Sequence, residues 1–491
     1  MNPSIEVRGI SQSILHSVND CPYKARCGGC VDSGGEYLDE SIRKFEMVRK
    51  LLPSGIKAHP MVLCEKPFYY RNKVHSGFDI LSSGSVVCGP YEQGSHRIIK
   101  TDDCKIENSK ASKIIRDCAD LAGKFGVKIY NEKKGTGQLR RILVRTADGT
   151  GQIMVVLVMG TDYLKSKKAF INSLLRKHPE ITTVITNINT RSDSMILGRE
   201  SRIEYGKGFI TDTLLGMKFR IGPDTFYQIN RAQAEKLYST AIRMGRIGPE
   251  DSILDAYCGI GTTTLSFAKI ASNVTGVEVN RHSVQEAKKN ASSNGFTNAS
   301  FVCADATDYM MDLAAEGRHF DVVVLDPPRS GTTLKFIKAC KEMAPDRIVY
   351  ISCDPRTLAD DIKRFSKNGY DAKEFTVVDM FPWTESVETI VVLSKGIDIS
   401  AGKVQVEFSV EDMDLSAAHG NASYNKIKKH VYEKTGLQVS NLNIAQVKRK
   451  YGIIERENYN LPKSENSKQP NCTPEKEKAI VAALQYFKMI G

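Results

Sequence analysis

The strongest constraint on the fold is an alternation of short apolar runs and longer amphipathic stretches between residues 223 and 395. Seven runs have the length and the β-branched composition of buried strands: SILDAY, NVTGVEV, SFVCAD, FDVVVLD, RIVYISC, EFTVVDM and ETIVVLS. Helix-like stretches separate most of them, which is typical of parallel strands joined by crossover helices. This region is therefore predicted to be a doubly wound, Rossmann-like α/β domain.

Two further regions flank this predicted sheet. Residues 1–222 combine a cysteine-containing start with β-type runs and Asp-Gly turns, which predicts an α+β region. Residues 396–491 contain three helix-like stretches and a polar linker at 461–471, which predicts a small, mostly helical accessory domain. A chain of 491 residues has room for three domains that each bury a core.

Composition narrows the environment and the partner. The longest apolar run, residues 153–159, is too short to span a bilayer, and the first ten residues lack the apolar core of a secretory signal. A cytoplasmic location with reduced thiols is therefore expected. The chain holds 69 Lys and Arg against 57 Asp and Glu, and this excess favours an anionic partner such as nucleic acid.

A glycine-containing segment, DAYCGIGT at residues 255–262, follows one strand-like run and begins a helical one. In that context glycines let the backbone approach a ligand at the N-terminus of a helix. Glu278 stands nineteen residues after Gly259, at the end of the next strand-like run. A carboxylate there is placed to accept both hydroxyls of a ribose, so the pair predicts a nucleotide-cofactor cleft.

The details of this segment favour S-adenosylmethionine over NAD. The position of the third glycine of the dinucleotide fingerprint is Thr264, and Asp255 precedes the first glycine by four residues. Asp305, which ends the third strand-like run, is expected near the adenine. Tyr257 suits either a contact with the cofactor or the core of the domain.

Two more strand-like runs end in chemistry-bearing turns, Asp326-Pro-Pro-Arg329 and Ser352-Cys353-Asp354-Pro355-Arg356. Both are expected to face the crevice where ligands of such sheets bind. The Asp-Pro-Pro turn alone is also compatible with methylation of an exocyclic amino group. Cys353 favours another reaction, because attack of a thiolate on carbon 6 of uracil activates carbon 5 for methylation. Glu388 is the candidate base for the carbon 5 proton, and Arg356 or a helix N-terminus is expected to favour the thiolate.

The motifs together resemble one family. They are FYQIN (226–230), DAYCGIG (255–261), VEV (277–279), DPPRSG (326–331), ISCDPRTL (351–358) and FPWTESVETIVVLS (381–394). In this order they resemble RNA uracil-5 methyltransferases, specifically the iron-sulfur branch that modifies large-subunit ribosomal RNA. The resemblance spans roughly residues 21–395.

The resemblance implies methylation of carbon 5 of a uridine, most simply in 23S rRNA, with Cys353 as nucleophile and Glu388 as base. It also implies six residues that contact the methyl donor: Gln228, Tyr257, Thr262, Glu278, Asp305 and Asp326. Gln228 and Thr262 rest on the resemblance alone. Two alternatives stay open: an amino-methyltransferase that uses the Asp-Pro-Pro turn, and a non-catalytic protein that binds or assembles rRNA.

Three N-terminal cysteines have the spacing of a metal or cluster site, Cys21-x5-Cys27-x2-Cys30, which still needs a fourth ligand. Spacing alone does not choose between four further cysteines: Cys64, Cys88, Cys104 and Cys118. The resemblance implies that Cys104 completes the set and that the four thiolates hold a [4Fe-4S] cluster. Zinc is the alternative occupant, and unligated thiols are a third interpretation.

Two regions combine basic residues with other features that suit RNA. Residues 69–73 and 133–145 mix cations with aromatic or apolar strand positions, which fits either RNA contacts or a solvated sheet face. Two helix-like segments surround TGLQVS at residues 435–440, and the second carries Lys448-Arg449-Lys450. They fit either a helix-turn-helix clamp on RNA or DNA, or an element that docks on the rest of the chain.

Overall fold

A computed structural model describes residues 5–6, 9–30, 35–95, 97–191, 193, 195–395, 424–451, 472–487 and 489. The chain divides into two compact units, Met1–Asp398 and Ile399–Gly491. None of the helices in these described ranges is both long and apolar enough to cross a membrane.

The described residues form eighteen strands and fourteen helices. The strands are β1 (Ile5–Glu6), β2 (Lys57–Ala58), β3 (Met61–Val62), β4 (Lys73–Ile80), β5 (Val86–Gly89), β6 (Leu139–Thr146), β7 (Ile153–Met159), β8 (Ile181–Ile188), β9 (Glu200–Tyr205), β10 (Ile210–Leu214), β11 (Met217–Ile221), β12 (Ser252–Ala256), β13 (Asn273–Glu278), β14 (Ala299–Cys303), β15 (Val322–Leu325), β16 (Arg347–Ser352), β17 (Tyr370–Val378) and β18 (Glu388–Lys395). The helices are α1 (Gln12–Leu15), α2 (Lys24–Cys27), α3 (Tyr37–Leu51), α4 (Ser109–Lys124), α5 (Lys167–Lys177), α6 (Arg231–Met244), α7 (Thr262–Ala268), α8 (Arg281–Ser293), α9 (Ala306–Ala315), α10 (Leu334–Met343), α11 (Pro355–Ser366), α12 (Tyr424–Thr435), α13 (Asn441–Lys450) and α14 (Pro474–Tyr486).

The seven strand-like runs of the sequence become β12 to β18. They lie in one sheet in the order β14-β13-β12-β15-β16-β18-β17, so the chain winds outward in both directions from β12 and β15. Pairing is parallel from β14 to β16, and β18 runs antiparallel to both of its neighbours. The predicted Rossmann-like fold is confirmed.

The N-terminal region contributes strands to this same sheet. β2 and β3 pair in parallel with β17, and β1 pairs with β3. On helix α3, the Tyr37 hydroxyl donates to Asp379 at 2.6 Å, and Lys44 Nζ donates to Asp379 at 2.8 Å. Lys44 also pairs with Glu40 at 2.7 Å, and all four side chains are buried. This matched ion cluster fixes α3 against the segment that leads into β18.

A second sheet has the order β5-β4-β6-β7-β8-β9. One of its faces packs on α4 and α5, through residues such as Ile114, Phe170 and Val155. Its other face places Leu143 and Val156 in a core that continues into the sheet of β12 to β18. The alternation of side chains along β6 and β7 therefore fixes the position of one sheet on the other.

The second unit contains α12, α13 and α14 around a small core that includes Ile427, Ile444 and Leu484. α13 begins with a capping box in which Ser440 and Asn443 satisfy each other's backbone N–H groups. The helical character predicted for residues 396–491 agrees with these helices. The polar linker expected at 461–471 lies outside the described residues. The nucleic-acid clamp stays a prediction.

Candidate active site

The turn after β12 is built for a close backbone approach. Tyr257, Gly259 and Gly261 all have positive φ angles, of 72°, 54° and 86°, which carry the chain directly from β12 into α7. The Gly259 N–H donates to Glu278 Oε2 at 3.2 Å. The carboxylate at the end of β13 is therefore held against the turn, as the nucleotide-cofactor interpretation requires.

Asp255 lies beneath this turn and is buried. Its Oδ2 accepts a hydrogen bond from Thr264 Oγ1 at 2.6 Å, whereas its Oδ1 has no partner. Burial, and to a smaller degree the charge of Asp326, raises the pKa of Asp255 to about 8 despite that hydrogen bond. Thr264, which takes the place of a fingerprint glycine, thus anchors the carboxylate.

Most of the other residues predicted to contact the methyl donor follow the carboxyl ends of β12 and β14, whereas Gln228 comes from the segment between β11 and α6. Thr262 is the first residue of α7, and Asp305 caps α9 by accepting from Thr307 N at 2.9 Å. The half-buried ring of Tyr257 lies 6.1 Å from that of Phe336. Gln228, which precedes α6, is buried at 6% exposure.

The second half of the site joins β15, β16 and β18. Ser352 pairs with Thr389 in the antiparallel ladder, so Cys353 and Glu388 are the next residues at that end of the two strands.

Glu388 is 3% exposed, and its Oε2 has no hydrogen-bond partner. Burial and the nearby charge of Asp326 raise the pKa of Glu388 well above its usual range, against the opposing charge of Arg329. The pKa of Asp326 is itself raised to about 7 by burial.

Cys353 is half-buried at the mouth of this arrangement. Burial, followed by the charges of Glu388 and Asp326, raises the pKa of its thiol to about 11, and Arg329 lowers it. For this role the sequence predicts Arg356 or a helix N-terminus. Arg356 instead lies in the first turn of α11, where its N–H donates to Asp354 Oδ1 at 2.9 Å. The cation that acts on the thiol therefore comes from the Asp-Pro-Pro-Arg turn.

Sequence reasoning missed Asp361, a buried carboxylate on α11. Its Oδ2 accepts from the Thr332 N–H at 2.8 Å and from the Tyr350 hydroxyl at 2.7 Å. Gly331 has a φ of 73°, and a Cβ there would lie 2.5 Å from the same oxygen. Asp361 thus holds the loop that begins at Asp326 against the helix that follows Cys353. The sequence signal for Asp361 is an acidic residue on the buried side of an amphipathic helix.

The four predicted cluster ligands also lie near one another. Cys21 precedes α2, Cys27 is its last residue, Cys30 follows it, and Cys104 lies in the loop between β5 and α4. Burial raises the pKa of Cys30 to about 11, and the charges of Cys21 and Cys27 add to this rise. Burial likewise raises the pKa of Cys104 to about 12, with a contribution from Cys30.

The spacing and surroundings of these thiols bear on what they hold. Within the described part of the chain, no three of their sulfur atoms lie within 4.8 Å of one another. Arg71 lies close enough to lower the pKa values of both Cys27 and Cys30. A positive charge beside buried thiols suits an anionic occupant.

Comparison with known proteins agrees with this arrangement. The family model described as tRNA (uracil-5-)-methyltransferase matches residues 175–396. An RNA methyltransferase of Halalkalibacterium halodurans, itself uncharacterised, is 36% identical over 378 residues, which cover 76% of this chain and 82% of the relative. One from Clostridium tetani is 37% identical over the same length, with the same two coverages.

A solved structure also superposes on the chain. The tRNA (uracil-54, C5)-methyltransferase of Pyrococcus abyssi, in complex with S-adenosyl-L-homocysteine, has a TM-score of 0.62 and 25% identity. The match covers 77% of this chain and 87% of that one. Taken together, the fold, the strand-end residues and these matches show that the chain belongs to the family of S-adenosylmethionine-dependent RNA uracil-5 methyltransferases.

Proposed function

We propose that this enzyme methylates carbon 5 of a uridine in RNA through a covalent adduct between Cys353 and carbon 6 of the base. The observation that carries the proposal is the register of β16 and β18, which brings Cys353 and Glu388 together at the end of two neighbouring strands. A nucleophile and a carboxylate with a raised pKa, side by side beneath the Asp-Pro-Pro turn, suit addition followed by proton removal.

The donor site is proposed to consist of Gln228, Tyr257, Thr262, Glu278, Asp305 and Asp326. Its carboxylates fit S-adenosylmethionine, because the sulfonium of the donor is a cation. Asp255 Oδ1 has no hydrogen-bond partner among the described residues, and burial raises the pKa of Asp326, so a bound cation would favour the ionised form of these carboxyls. When bound, the donor supplies an electrophilic methyl group. The Pyrococcus abyssi relative holds the demethylated product, S-adenosyl-L-homocysteine.

The residues act in sequence on the uracil ring. The Cys353 thiolate forms a bond to carbon 6, and the electrons of the 5,6 double bond move to the oxygen on carbon 4. Carbon 5 then takes the methyl group. Glu388 removes the proton from carbon 5, the double bond returns, and the bond from carbon 6 to sulfur breaks. A raised pKa makes Glu388 a stronger base than an exposed carboxylate, and Arg329 stabilises the thiolate.

The same proposal places a [4Fe-4S] cluster on Cys21, Cys27, Cys30 and Cys104. Its support is the resemblance to the iron-sulfur branch, together with the mutual influence of these thiols and the nearby charge of Arg71. Zinc is the alternative occupant, because a set of four thiolates also suits zinc. The thiolates would hold the cluster as a link between the N-terminus and the loop before α4.

The proposed substrate is 23S rRNA, on the basis of the resemblance to the branch that modifies it. Transfer RNA is the competing substrate, because both the matching family model and the superposed structure are named for tRNA enzymes. In either RNA the target uridine must leave the base stack for carbon 6 to reach Cys353.

The test is transfer of a labelled methyl group into unmethylated 23S rRNA and unmethylated tRNA, with the nucleosides identified by mass spectrometry. Wild type should form 5-methyluridine in rRNA, and Cys353→Ser should form none. Cys472→Ser, which changes a cysteine of the second unit, is the matched control and should keep full activity. RNA containing 5-fluorouracil should trap the wild type covalently and should leave Cys353→Ser free.

Other outcomes would redirect the proposal. Label in N-methylated bases, or activity that survives Cys353→Ser, would favour an amino-methyltransferase. Label confined to tRNA would keep the chemistry and replace the substrate. Absence of both donor binding and methyl transfer would favour a non-catalytic rRNA-binding protein. For the cluster, zinc without iron in anaerobically purified protein, unchanged in Cys27→Ser, would refute the assignment.

A further inference from the structure

Cations gather on one face of the six-stranded sheet, beside the sheet that contains β12 to β18. Lys73 on β4 lies directly opposite Arg145 on β6, and Arg141 lies opposite Gly77 in the same ladder. Residues that face each other in an antiparallel pair point to the same side. Arg71 stands two residues before Lys73 and continues the alternation. Arg71, Lys73, Arg141 and Arg145 are termed the basic face below.

The charges of the basic face act on one another. The pKa of His75, an exposed residue on the same side of β4, is lowered by partial desolvation and by three neighbouring cations: Arg71, Lys73 and Arg141. Burial and the charge of Arg145 likewise lower the pKa of Lys73 to about 8. Burial lowers the pKa of Arg145 to about 10. Positive charges that repel each other at partly dry positions are costly unless an anion joins them.

Internal acids leave the charges of Lys73 and Arg145 largely unmatched, whereas Arg71 lies near the half-buried Glu107. Among the described residues, no carboxylate lies within 4.0 Å of a side-chain nitrogen of Lys73 or Arg145. Asp224 is the acid whose charge reaches both, at a longer distance. Arg141 lies 3.8 Å from Glu132, but Arg140 already engages that carboxylate at 2.6 Å. Arg145 is 3% exposed, and its Nε has no hydrogen-bond partner.

The basic face adjoins the reacting centre. The side-chain amide of Asn72 donates to the Gln228 carbonyl at 3.0 Å, and Arg145 donates to the carbonyl of Thr225. Both contacts fix the segment that ends in Gln228, a residue proposed for the donor site. Phe226, in the same segment, is 66% exposed. The basic face is therefore joined by hydrogen bonds to the segment that carries Gln228.

We infer that the basic face binds a backbone phosphate of the substrate RNA, next to the uridine that enters the active site. Arginine presents a planar fork that matches phosphate oxygens, and a flipped nucleotide needs its backbone held on either side. The identity of the nucleotide rests on the proposed function, whereas the phosphate site rests on the charges and their position.

The test compares two double variants of the full-length protein. Lys73→Gln with Arg141→Gln removes two charges from the basic face, and Arg202→Gln with Lys207→Gln removes two exposed charges at β9, the other edge of the same sheet. The basic-face variant should bind RNA about tenfold more weakly at low salt, and the slope of log Kd against log salt should fall by about 1.5. The affinity for the methyl donor should not change, and KM for RNA should rise while kcat stays within about twofold.

The outcomes test the phosphate site independently of the proposed methylation reaction. Equal losses in the two variants would replace the site with diffuse surface attraction. An unchanged RNA affinity and salt slope would overturn it. Tight binding of inorganic phosphate that is lost in the basic-face variant, without any change in RNA affinity, would make it a site for a free anion and refute the inference. If no RNA is methylated but the basic-face variant alone loses RNA affinity, the phosphate site stands and the proposed function fails.

Discussion

The active-site edge of the larger sheet gathers buried acids, and the basic face of the smaller one gathers cations. Among the described residues, neither the acids nor Lys73 and Arg145 form an ion pair within 4.0 Å, although Arg329 acts on Glu388 and Asp224 acts on both cations at longer range. Asp255, Asp326 and Glu388 form the negative cluster, and the pKa of each is raised. Lys73 and Arg145 lie at the centre of the positive one, and their pKa values are lowered. In both clusters the shift opposes the charged form, as burial without a partner requires.

A third cluster shows what a matched arrangement looks like. Lys44 touches both Asp379 and Glu40, and its pKa is raised although the side chain is buried, because the two carboxylates outweigh burial. Buried charge that serves the fold is thus paired within the chain. The sign of unpaired buried charge instead indicates the sign of the ligand: a cationic methyl donor at one site and an RNA phosphate at the other.

The largest effect is expected at the negative cluster. Glu388→Gln keeps the shape of the side chain but removes the base, so turnover should fall by about 10²- to 10⁴-fold. The covalent adduct with RNA should still form and should accumulate, because its breakdown needs the carbon 5 proton removed. Single-turnover methylation and gel analysis of the adduct measure both. Exposed Glu385→Gln, three residues earlier, is the control, and equal losses in both variants would remove Glu388 from the mechanism.

The adjacency that this prediction tests is a property of the fold rather than of the local sequence. The strand-like runs and the glycine turn were readable, because buried parallel strands are short apolar runs and the turn needs positive φ at Gly259. The sequence predicts Cys353 at a strand end and Glu388 in a separate motif, but their proximity depends on β18 inserting antiparallel between β16 and β17. No spacing in the sequence reveals that pairing.

The same limit applies to the basic face and to the residues that sequence reasoning missed. The sequence indicates 69–73 and 133–145 as two separate candidate RNA-contact regions, and only the register of β4 against β6 makes Lys73 and Arg145 neighbours. Asp361 was missed because its partners, Thr332 N and the Tyr350 hydroxyl, come from two other elements. Arg329 acts on Cys353 from the preceding strand-end loop, whereas sequence proximity predicts Arg356 or a helix N-terminus. Local patterns predict elements, and long-range pairing decides which charges meet.

The affinity for the methyl donor is expected to change with pH, by an amount between the largest and the smallest of these effects. The pKa of Asp326 is about 7 in the ligand-free protein, and a cationic donor favours its ionised form. The affinity for S-adenosylmethionine should therefore rise about tenfold between pH 6 and pH 8, with release of a proton on binding at pH 6. Calorimetry in two buffers of different ionisation enthalpy measures both quantities. Asp326→Asn should bind more weakly and with a flatter profile; a flat profile in wild type would contradict the charge argument.

The smallest expected effect is a change in the free energy of unfolding, which distinguishes a buried charge without a counterion from a paired one. Because the pKa of Lys73 is lowered to about 8, its charge opposes folding, and Lys73→Met should stabilise the ligand-free protein by about 1–2 kcal/mol at pH 7. The unfolded chain binds the Lys73 proton more tightly than the folded one, so wild-type stability recovers as pH rises from about 8 to about 10.4. The advantage of the variant should shrink over that window. Denaturant unfolding at pH 7 and pH 10 measures it.

Lys44→Met is the matched contrast, since it removes a buried cation that two carboxylates hold. The free energy of unfolding should fall by about 3–5 kcal/mol, because the substitution leaves buried carboxylates without a counterion. Opposite signs for the two variants would establish that the chain pairs its structural charges internally and keeps the basic face unmatched for RNA. A loss of stability in Lys73→Met at pH 7 would show instead that Lys73 is part of the fold, and would weaken the case for a phosphate between Lys73 and Arg145.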